Sequence, residues 1–181
     1  PGHGSVVADS HVDDVTDERS LDEIRESDLR PFSELMPALD ALMIAHVVYP
    51  QIDERPAGYS STWLRDILRY ELHYRGVVMS DDLGMKAACV VGGVRERAEH
   101  CLASGCDLVL VCQTEDTAEL MANPIRVEGS AQDALDRLYG RPTIDRSQIA
   151  EVRSEGIREW EYWRSSLERL GADVLALPAP A

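Results

Sequence analysis

The 181-residue sequence is poor in basic and aromatic side chains and has no long apolar run. It contains 18 Lys and Arg against 33 Asp and Glu, which gives a formal net charge of −15. Nucleic acids and anionic membranes attract proteins with an excess of Lys and Arg, so we expect neither as a partner. A membrane-spanning helix needs about 18 consecutive apolar residues, and the sequence contains no such stretch.

Cysteine is also scarce, and its spacing matches no metal or redox motif. The sequence has no Cys-x-x-Cys pair and no histidine pair at zinc-finger spacing. This spacing indicates no zinc site, and we predict buried, free thiols that suit a reducing compartment. No signal peptide is recognisable, and the chain starts without Met, as though an N-terminal portion preceded it. The four cysteines are Cys89, Cys101, Cys106 and Cys112.

Short apolar runs recur along the first two thirds of the chain. They lie roughly 30 to 35 residues apart, which is the length of one strand-helix unit. None of them alternates polar and apolar residues, as is typical of parallel strands that are covered on both faces. The predicted strands are residues 41–48, 76–80 and 107–112.

The segments between these runs carry helix signals. Ser20 and Glu23 have the spacing of a capping box, and Ser60 or Ser61 is placed to begin a second helix. A third predicted helix, over residues 85–104, ends at Gly105. Alternating helices and buried strands predict an α/β fold with a parallel sheet.

Polar residues in two loops point to chemistry. Asp81 and Asp82 directly follow the run 76–80, and active sites of parallel α/β proteins lie at the carboxyl ends of strands. Near the N-terminus, Asp9 and His11 share a loop. A carboxylate can act as a nucleophile, and a histidine beside an acid can exchange protons near neutral pH. The residues alone also allow a helix N-cap for the two acids and an exposed histidine.

Four stretches keep the order and spacing of family motifs. They are Pro-Gly-His-Gly at 1–4, Asp-Ser-His at 9–11, the segment 45–50 and the segment 76–83. Together they resemble glycoside hydrolase family 3, in particular its bacterial β-N-acetylglucosaminidase (β-N-acetylhexosaminidase) branch. The resemblance covers roughly residues 1–113.

This resemblance implies the C-terminal half of a (β/α)8 barrel, with parallel strands and covering helices. Residues 1–113 would form part of the catalytic barrel, 114–172 a C-terminal helical part that includes a helix at 146–170, and 173–181 a tail. A barrel closes only when its sheet is complete. We therefore expect self-association or pairing with a missing N-terminal half-barrel.

The resemblance also implies a reaction. The enzyme would remove terminal N-acetyl-β-D-glucosamine from cell-wall muropeptides or chitooligosaccharides, with retention, in cytoplasmic peptidoglycan recycling. Asp81 would be the nucleophile that forms a covalent glycosyl-enzyme, and His11, oriented by Asp9, would be the acid/base. Asp82 is expected to point away into a supporting hydrogen bond, because two adjacent negative charges oppose each other.

Other residues and readings stay open at this point. His3, His46 and Met85 are predicted to bind substrate, although each is also explained by packing. One alternative is a catalytically silent fragment or interaction module. Another is a metal-dependent hydrolase that uses His3, Asp9 and His11 as ligands.

Overall fold

The computed structural model describes residues 1–125 together with Asp133, Asp136, Leu138 and Tyr139. The predicted helix at 146–170 and the tail at 173–181 lie outside the described residues. In chain order the elements are α1 (Leu21–Glu26), α2 (Arg30–Leu35), a 3-10 turn (Met36–Ala38), β1 (Ala41–Ile44), β2 (Val48–Tyr49), β3 (Asp53–Pro56), a 3-10 turn (Ala57–Tyr59), a π-helix (Thr62–Glu71), β4 (Val77–Asp82), a 3-10 helix (Lys86–Val91), α3 (Val94–Ser104), β5 (Leu108–Leu110) and α4 (Thr114–Ala122).

A parallel sheet with the order β1-β4-β5 lies at the centre of the described fold. Strand β4 pairs with β1 from Ala41–Val77 to Ile44–Ser80, and with β5 at Met79–Leu108 and Asp82–Leu110. The predicted α/β fold with three parallel strands is therefore confirmed.

The first predicted strand, 41–48, is too long. Strand β1 ends at Ile44, and Val48 belongs to β2, which pairs antiparallel with β3. The reason is the returning N-terminal loop: Val48 N donates to Val15 O at 2.9 Å, and Asp17 N donates to Val48 O at 2.9 Å. These bonds take the backbone groups of Val48 away from the parallel sheet.

The capping signals are confirmed, but two predicted helices are divided. Ser20 and Glu23 form the complete capping box, and Ser60 Oγ accepts a hydrogen bond from Trp63 N at 3.1 Å. The first helix breaks between α1 and α2, where Pro31 enters the first turn of α2 and restricts the residue before it. The third helix breaks at Gly92, whose φ of +109° favours glycine, and α3 ends at Gly105 as predicted.

Side chains from both sides of the sheet form the core. One cluster fills the space between the sheet, the π-helix and α3, and a second lies beneath the N-terminal loop. None of the helices in the described part of the chain is long and apolar enough to cross a membrane. Fully buried core residues include Val15, Ile24, Val47, Tyr49, Tyr59, Leu64, Val77, Val78 and Leu83.

The prediction of buried thiols is correct for two cysteines and wrong for two. All four are free; Cys101 and Cys106 are buried, whereas Cys89 and Cys112 are exposed. Cys112 is the second residue after the end of β5, and Cys89 lies in the helix after β4. Both therefore sit at the carboxyl edge of the sheet instead of inside the core.

A charged network fixes the end of the N-terminal loop. Asp17 is only 3% exposed and accepts hydrogen bonds from the Arg19 guanidinium, at 2.7 Å from Nη2, and from Ser5 N. Arg19 also reaches Asp28 at 2.6 Å. The hydrogen bonds from Arg19 lower the pKa of Asp17 to about 2.

We predict that Asp17→Asn lowers the free energy of unfolding by about 2 kcal/mol at pH 7. The pKa of Asp17 is lower in the folded state, so this stabilisation is present above about pH 4 and is lost as the pH falls toward 2. Urea unfolding at several pH values measures it. Asp22→Asn, at a surface pair whose Asp side chain is 86% exposed, is the control and should change stability little. Equal effects of the two variants would contradict the prediction.

Candidate active site

Strand β4 delivers two acids to the carboxyl edge of the sheet. Asp81 and Asp82 are its last two residues, and the pairing with β5 is irregular between Met79 and Asp82. Such bulges turn side chains in a new direction and are common next to active sites. The buried Ser80 anchors the strand end, because its Oγ accepts a hydrogen bond from Leu110 N at 3.0 Å.

The two acids have different surroundings. Asp82 Oδ1 accepts hydrogen bonds from Gly84 N and Cys112 N, both at 3.0 Å, so the predicted supporting role of its side chain is confirmed. Asp81 Oδ1 accepts from Asp82 N at 2.8 Å. Among the described residues, no donor is bonded to Asp81 Oδ2. One carboxylate oxygen of Asp81 is thus held, and the other is available for reaction.

Asp9 and His11 form a pair in the N-terminal loop. His11 Nδ1 lies 2.8 Å from Asp9 Oδ1, and His11 N donates to the same oxygen at 3.0 Å. A carboxylate only accepts, so Nδ1 carries a proton and Nε2 faces outward for chemistry. The hydrogen bond to Asp9 raises the pKa of His11, and Asp81 and Asp82 raise it further. The two side chains are 63% and 72% exposed, so a ligand can reach them.

Backbone hydrogen bonds dock this loop against the segment after β4. Lys86 N donates to His11 O at 3.3 Å, and Ala87 N donates to Ser10 O at 3.2 Å. The side chain of Ser10 is buried and lies 3.0 Å from His3 Nε2. The structure therefore brings together the two loops that the sequence singled out, although about seventy residues separate them in the chain.

The three predicted substrate contacts occupy different depths. His3 is exposed and braces the loop through Ser10. His46 is fully buried, and its Nε2 lies 3.3 Å from Asp81 O. Burial lowers the pKa of His46, so its imidazole is neutral. Met85 is 4% exposed and belongs to the turn after Asp82.

The alternative metal centre is not found. Within the part of the chain that the structure describes, no group of three or more His, Cys, Asp and Glu side chains is arranged to hold a metal ion. His11 is paired with Asp9, and His3 faces Ser10. His3, Asp9 and His11 therefore do not form a group that could hold a metal ion.

The sequence analysis did not predict that Cys112 and Arg97 belong to the site. Cys112 binds Asp82 through its backbone, and Arg97 from α3 donates to Leu83 O and lies 3.1 Å from Cys89 Sγ. The position of Cys112 at the end of a predicted strand was a usable signal. Arg97 offered none, because a single arginine in a helix usually faces solvent.

Comparison with known proteins identifies the family. The model of the glycosyl hydrolase family 3 N-terminal domain matches residues 1–137. The chain belongs to this family. It is 47% identical over 180 residues to a beta-hexosaminidase of Pseudomonas aeruginosa, covering 97% of this chain and 50% of the relative. It is 56% identical over 116 residues to a beta-hexosaminidase of Stenotrophomonas maltophilia, covering 64% and 35%.

A solved family 3 structure has a similar fold. NagZ from Neisseria gonorrhoeae, in complex with N-trifluoroacetyl-D-glucosamine, superposes with a TM-score of 0.68 at 34% identity, covering 88% of this chain and 46% of that chain. The predicted family and fold class are confirmed. The chain spans about half the length of the curated relatives that it matches.

We predict that Asp9→Asn lowers the pKa of His11 toward the ordinary value of 6.5. The substitution removes the negative charge that favours the imidazolium. A pH titration of the His11 ring signals by NMR measures the change. Asp13→Asn, in the same loop, is the control and should leave the pKa of His11 unchanged. A His11 pKa that is equal in the wild type and in Asp9→Asn would show that the pair does not form in solution.

Proposed function

We propose that the chain carries catalytic residues of a retaining β-N-acetylhexosaminidase, which removes terminal N-acetyl-β-D-glucosamine. The observation that supports this most is the docking of the Asp9–His11 pair against the segment that follows Asp81. A retaining hydrolase requires a nucleophile and an acid/base, which is usually a second carboxylic acid. Asp81, with one free oxygen, is suited to the first role, and His11, which exchanges protons, to the second. Membership of family 3 and relatives named beta-hexosaminidase agree with this reading.

In the first step, Asp81 attacks the anomeric carbon while the glycosidic C–O bond breaks. His11 gives its Nε2 proton to the departing oxygen, so the leaving group departs as an alcohol. The hydrogen bond to Asp9 raises the pKa of His11, which favours the protonated imidazole that this step needs. Asp9 holds the ring by Nδ1 and stabilises its positive charge.

In the second step, neutral His11 accepts a proton from water, and the oxygen of that water attacks the anomeric carbon. The ester bond to Asp81 breaks, and its carboxylate is restored. Two displacements at the same carbon give overall retention. No cofactor takes part in this scheme.

Muropeptides or chitooligosaccharides are the proposed substrates, and the cytoplasm, during peptidoglycan recycling, is the proposed location. The solved relative that carries N-trifluoroacetyl-D-glucosamine supports an N-acetylhexosamine-like ligand. Its exposure makes His3 the most accessible of the proposed contacts, whereas His46 and Met85 lie beneath the surface. The net charge of −15 disfavours nucleic acid and anionic membranes as partners.

A complete site requires more of the sheet than the structure describes. The described sheet has three parallel strands, and a closed barrel has eight. We propose that residues 1–113 belong to the catalytic barrel, with 114–172 as a helical part and 173–181 as a tail. The remaining strands would come from an N-terminal half-barrel or from a second copy of the chain. Without them the chain would be a catalytically silent fragment.

We predict that Asp81→Asn lowers the hydrolysis of a chromogenic N-acetyl-β-D-glucosaminide by at least about 10³-fold, because the amide cannot form the ester intermediate. Initial rates across a range of protein concentrations measure this. Asp22→Asn is the control, since Asp22 is an exposed acid of α1, and it should retain activity. Unchanged activity in Asp81→Asn would overturn the nucleophile, and an inactive wild type at every concentration would contradict a working site in this chain alone.

We predict that His11→Ala lowers kcat by about 10²- to 10⁴-fold for substrates with poor leaving groups. The loss should be smaller for nitrophenyl leaving groups, which depart without a proton. Added azide should restore turnover as a β-configured glycosyl azide, because azide attacks the glycosyl-enzyme without needing a base. Equal losses for all leaving groups, with no azide product, would contradict the role of His11.

A further inference from the structure

The side chain of Asp82 connects the turn after β4 to the end of β5. Its Oδ1 accepts from Gly84 N and from Cys112 N, both at 3.0 Å. Leu83 N adds a second connection, because it donates to Leu110 O at 2.9 Å. The packing is tight: a Cβ on Gly84 would lie 2.8 Å from Gln113 Cγ. The end of β5 therefore holds this turn closely.

The backbone of Asp82 continues this connection to the nucleophile. Asp82 N donates to Asp81 Oδ1 at 2.8 Å, which fixes the orientation of the Asp81 carboxylate. The same residue, Asp82, donates this bond through its backbone and is fixed by its side chain to the segment that follows β5. A shift of Asp82 would therefore move the donor on which Asp81 Oδ1 depends.

His46 acts on Asp81 from the opposite side, beyond the end of β1. Its Nε2 lies 3.3 Å from Asp81 O, and a carbonyl only accepts, so Nε2 carries the hydrogen. The ring is fully buried and packs 5.8 Å from the ring of Tyr59. Gly58 lies so near that a Cβ there would be 3.4 Å from Nδ1. The imidazole has little room to turn.

We propose that Asp82 and His46 are positioning residues that clamp Asp81 between the ends of the two neighbouring strands. This inference rests on the proposed function of Asp81 as the nucleophile. Neither side chain touches substrate in this scheme. They hold one Asp81 oxygen and the Asp81 carbonyl, so that Oδ2 faces the anomeric carbon. Reaction rates depend strongly on such placement, since an error of about 1 Å can cost about 10²-fold.

The Cys112 thiol provides a test of the Asp82 side that does not depend on activity. Desolvation and the Asp82 carboxylate raise the pKa of Cys112, and only the thiolate reacts with alkylating agents. In a Cys89→Ser background, Cys112 is the exposed thiol among the three remaining cysteines. The rate of alkylation by iodoacetamide is measured against pH.

Asp82→Asn should speed alkylation near neutral pH by about threefold or more, because loss of the Asp82 negative charge lets the pKa of the Cys112 thiol fall. Asp81→Asn is the matched control and should have the smaller effect, because Asp82 is the thiol's nearer carboxylate. Profiles that are equal in the wild type and Asp82→Asn would overturn the Asp82 side of the clamp. A larger effect of Asp81→Asn than of Asp82→Asn on the alkylation rate would also overturn the Asp82 side of the clamp.

The tautomer of His46 tests the other side. Nitrogen-15 NMR of the imidazole at pH 8, where a histidine whose pKa is lowered by burial is neutral, should show hydrogen on Nε2, because the bond to Asp81 O requires that hydrogen. A neutral ring with hydrogen on Nδ1 would overturn the His46 side.

Kinetics then test whether the clamp serves the reaction. Asp82→Ala and His46→Leu should lower kcat by about 10²-fold with little change in KM. Asp82→Asn keeps an acceptor and His46→Gln keeps a donor, so both should recover part of kcat. A rise in KM with unchanged kcat would overturn the positioning role. An inactive wild-type chain would count against a working site in this chain alone, while the alkylation and NMR results would still decide on the clamp.

Discussion

The parallel pairing of β4 between β1 and β5 is the constraint on which the site depends. It buries Val77 and Val78 completely and places Asp81 and Asp82 at the carboxyl edge of the sheet. It also sets His46 and Cys112 on either side of these acids, because the neighbouring strands end nearby. The chemistry of one strand end is thus supported by backbone and side-chain groups from both adjacent segments.

The second requirement is that the N-terminal loop returns to the same edge. The Asp17–Arg19–Asp28 network and the pairing of Val48 with the loop fix its far end. Two backbone bonds to the helix after β4 fix its middle, next to His11. The loop is therefore held at both places, although the Asp9–His11 pair itself remains exposed to solvent. An exposed Asp9–His11 pair beside the anchored Asp81 suits the proposed reaction, whose substrate enters from solution.

Much of this arrangement was predictable from the sequence, for identifiable reasons. Unbroken apolar runs predicted the parallel strands, and the position of Asp81 after such a run predicted its place at the sheet edge. The capping box of Ser20 and Glu23 formed as expected because it depends on local geometry alone. The support that Asp82 gives followed from repulsion between adjacent charges.

The remainder depended on tertiary contacts that a single sequence does not display. Strand β1 stopped early because Val15 and Asp17, far away in the chain, bond to Val48. Packing between separate segments likewise determines three other features. They are the exposure of Cys112, its backbone hydrogen bond to Asp82, and the hydrogen bond from Arg97 to Leu83 O. The substrate contacts at His3 and Met85 stay predictions, because the sheet described here is only part of a barrel. For His46, the clamp proposes a positioning role in place of the predicted substrate contact.

The central claim is that Asp81 becomes covalently attached to the sugar. Incubation of the chain with a 5-fluoro-N-acetylglucosaminyl fluoride, which slows breakdown of a glycosyl-enzyme, followed by peptide mass spectrometry, tests it directly. The account predicts one sugar adduct on Asp81. An adduct on a different residue, or fluoride release with inversion and no adduct, would contradict it.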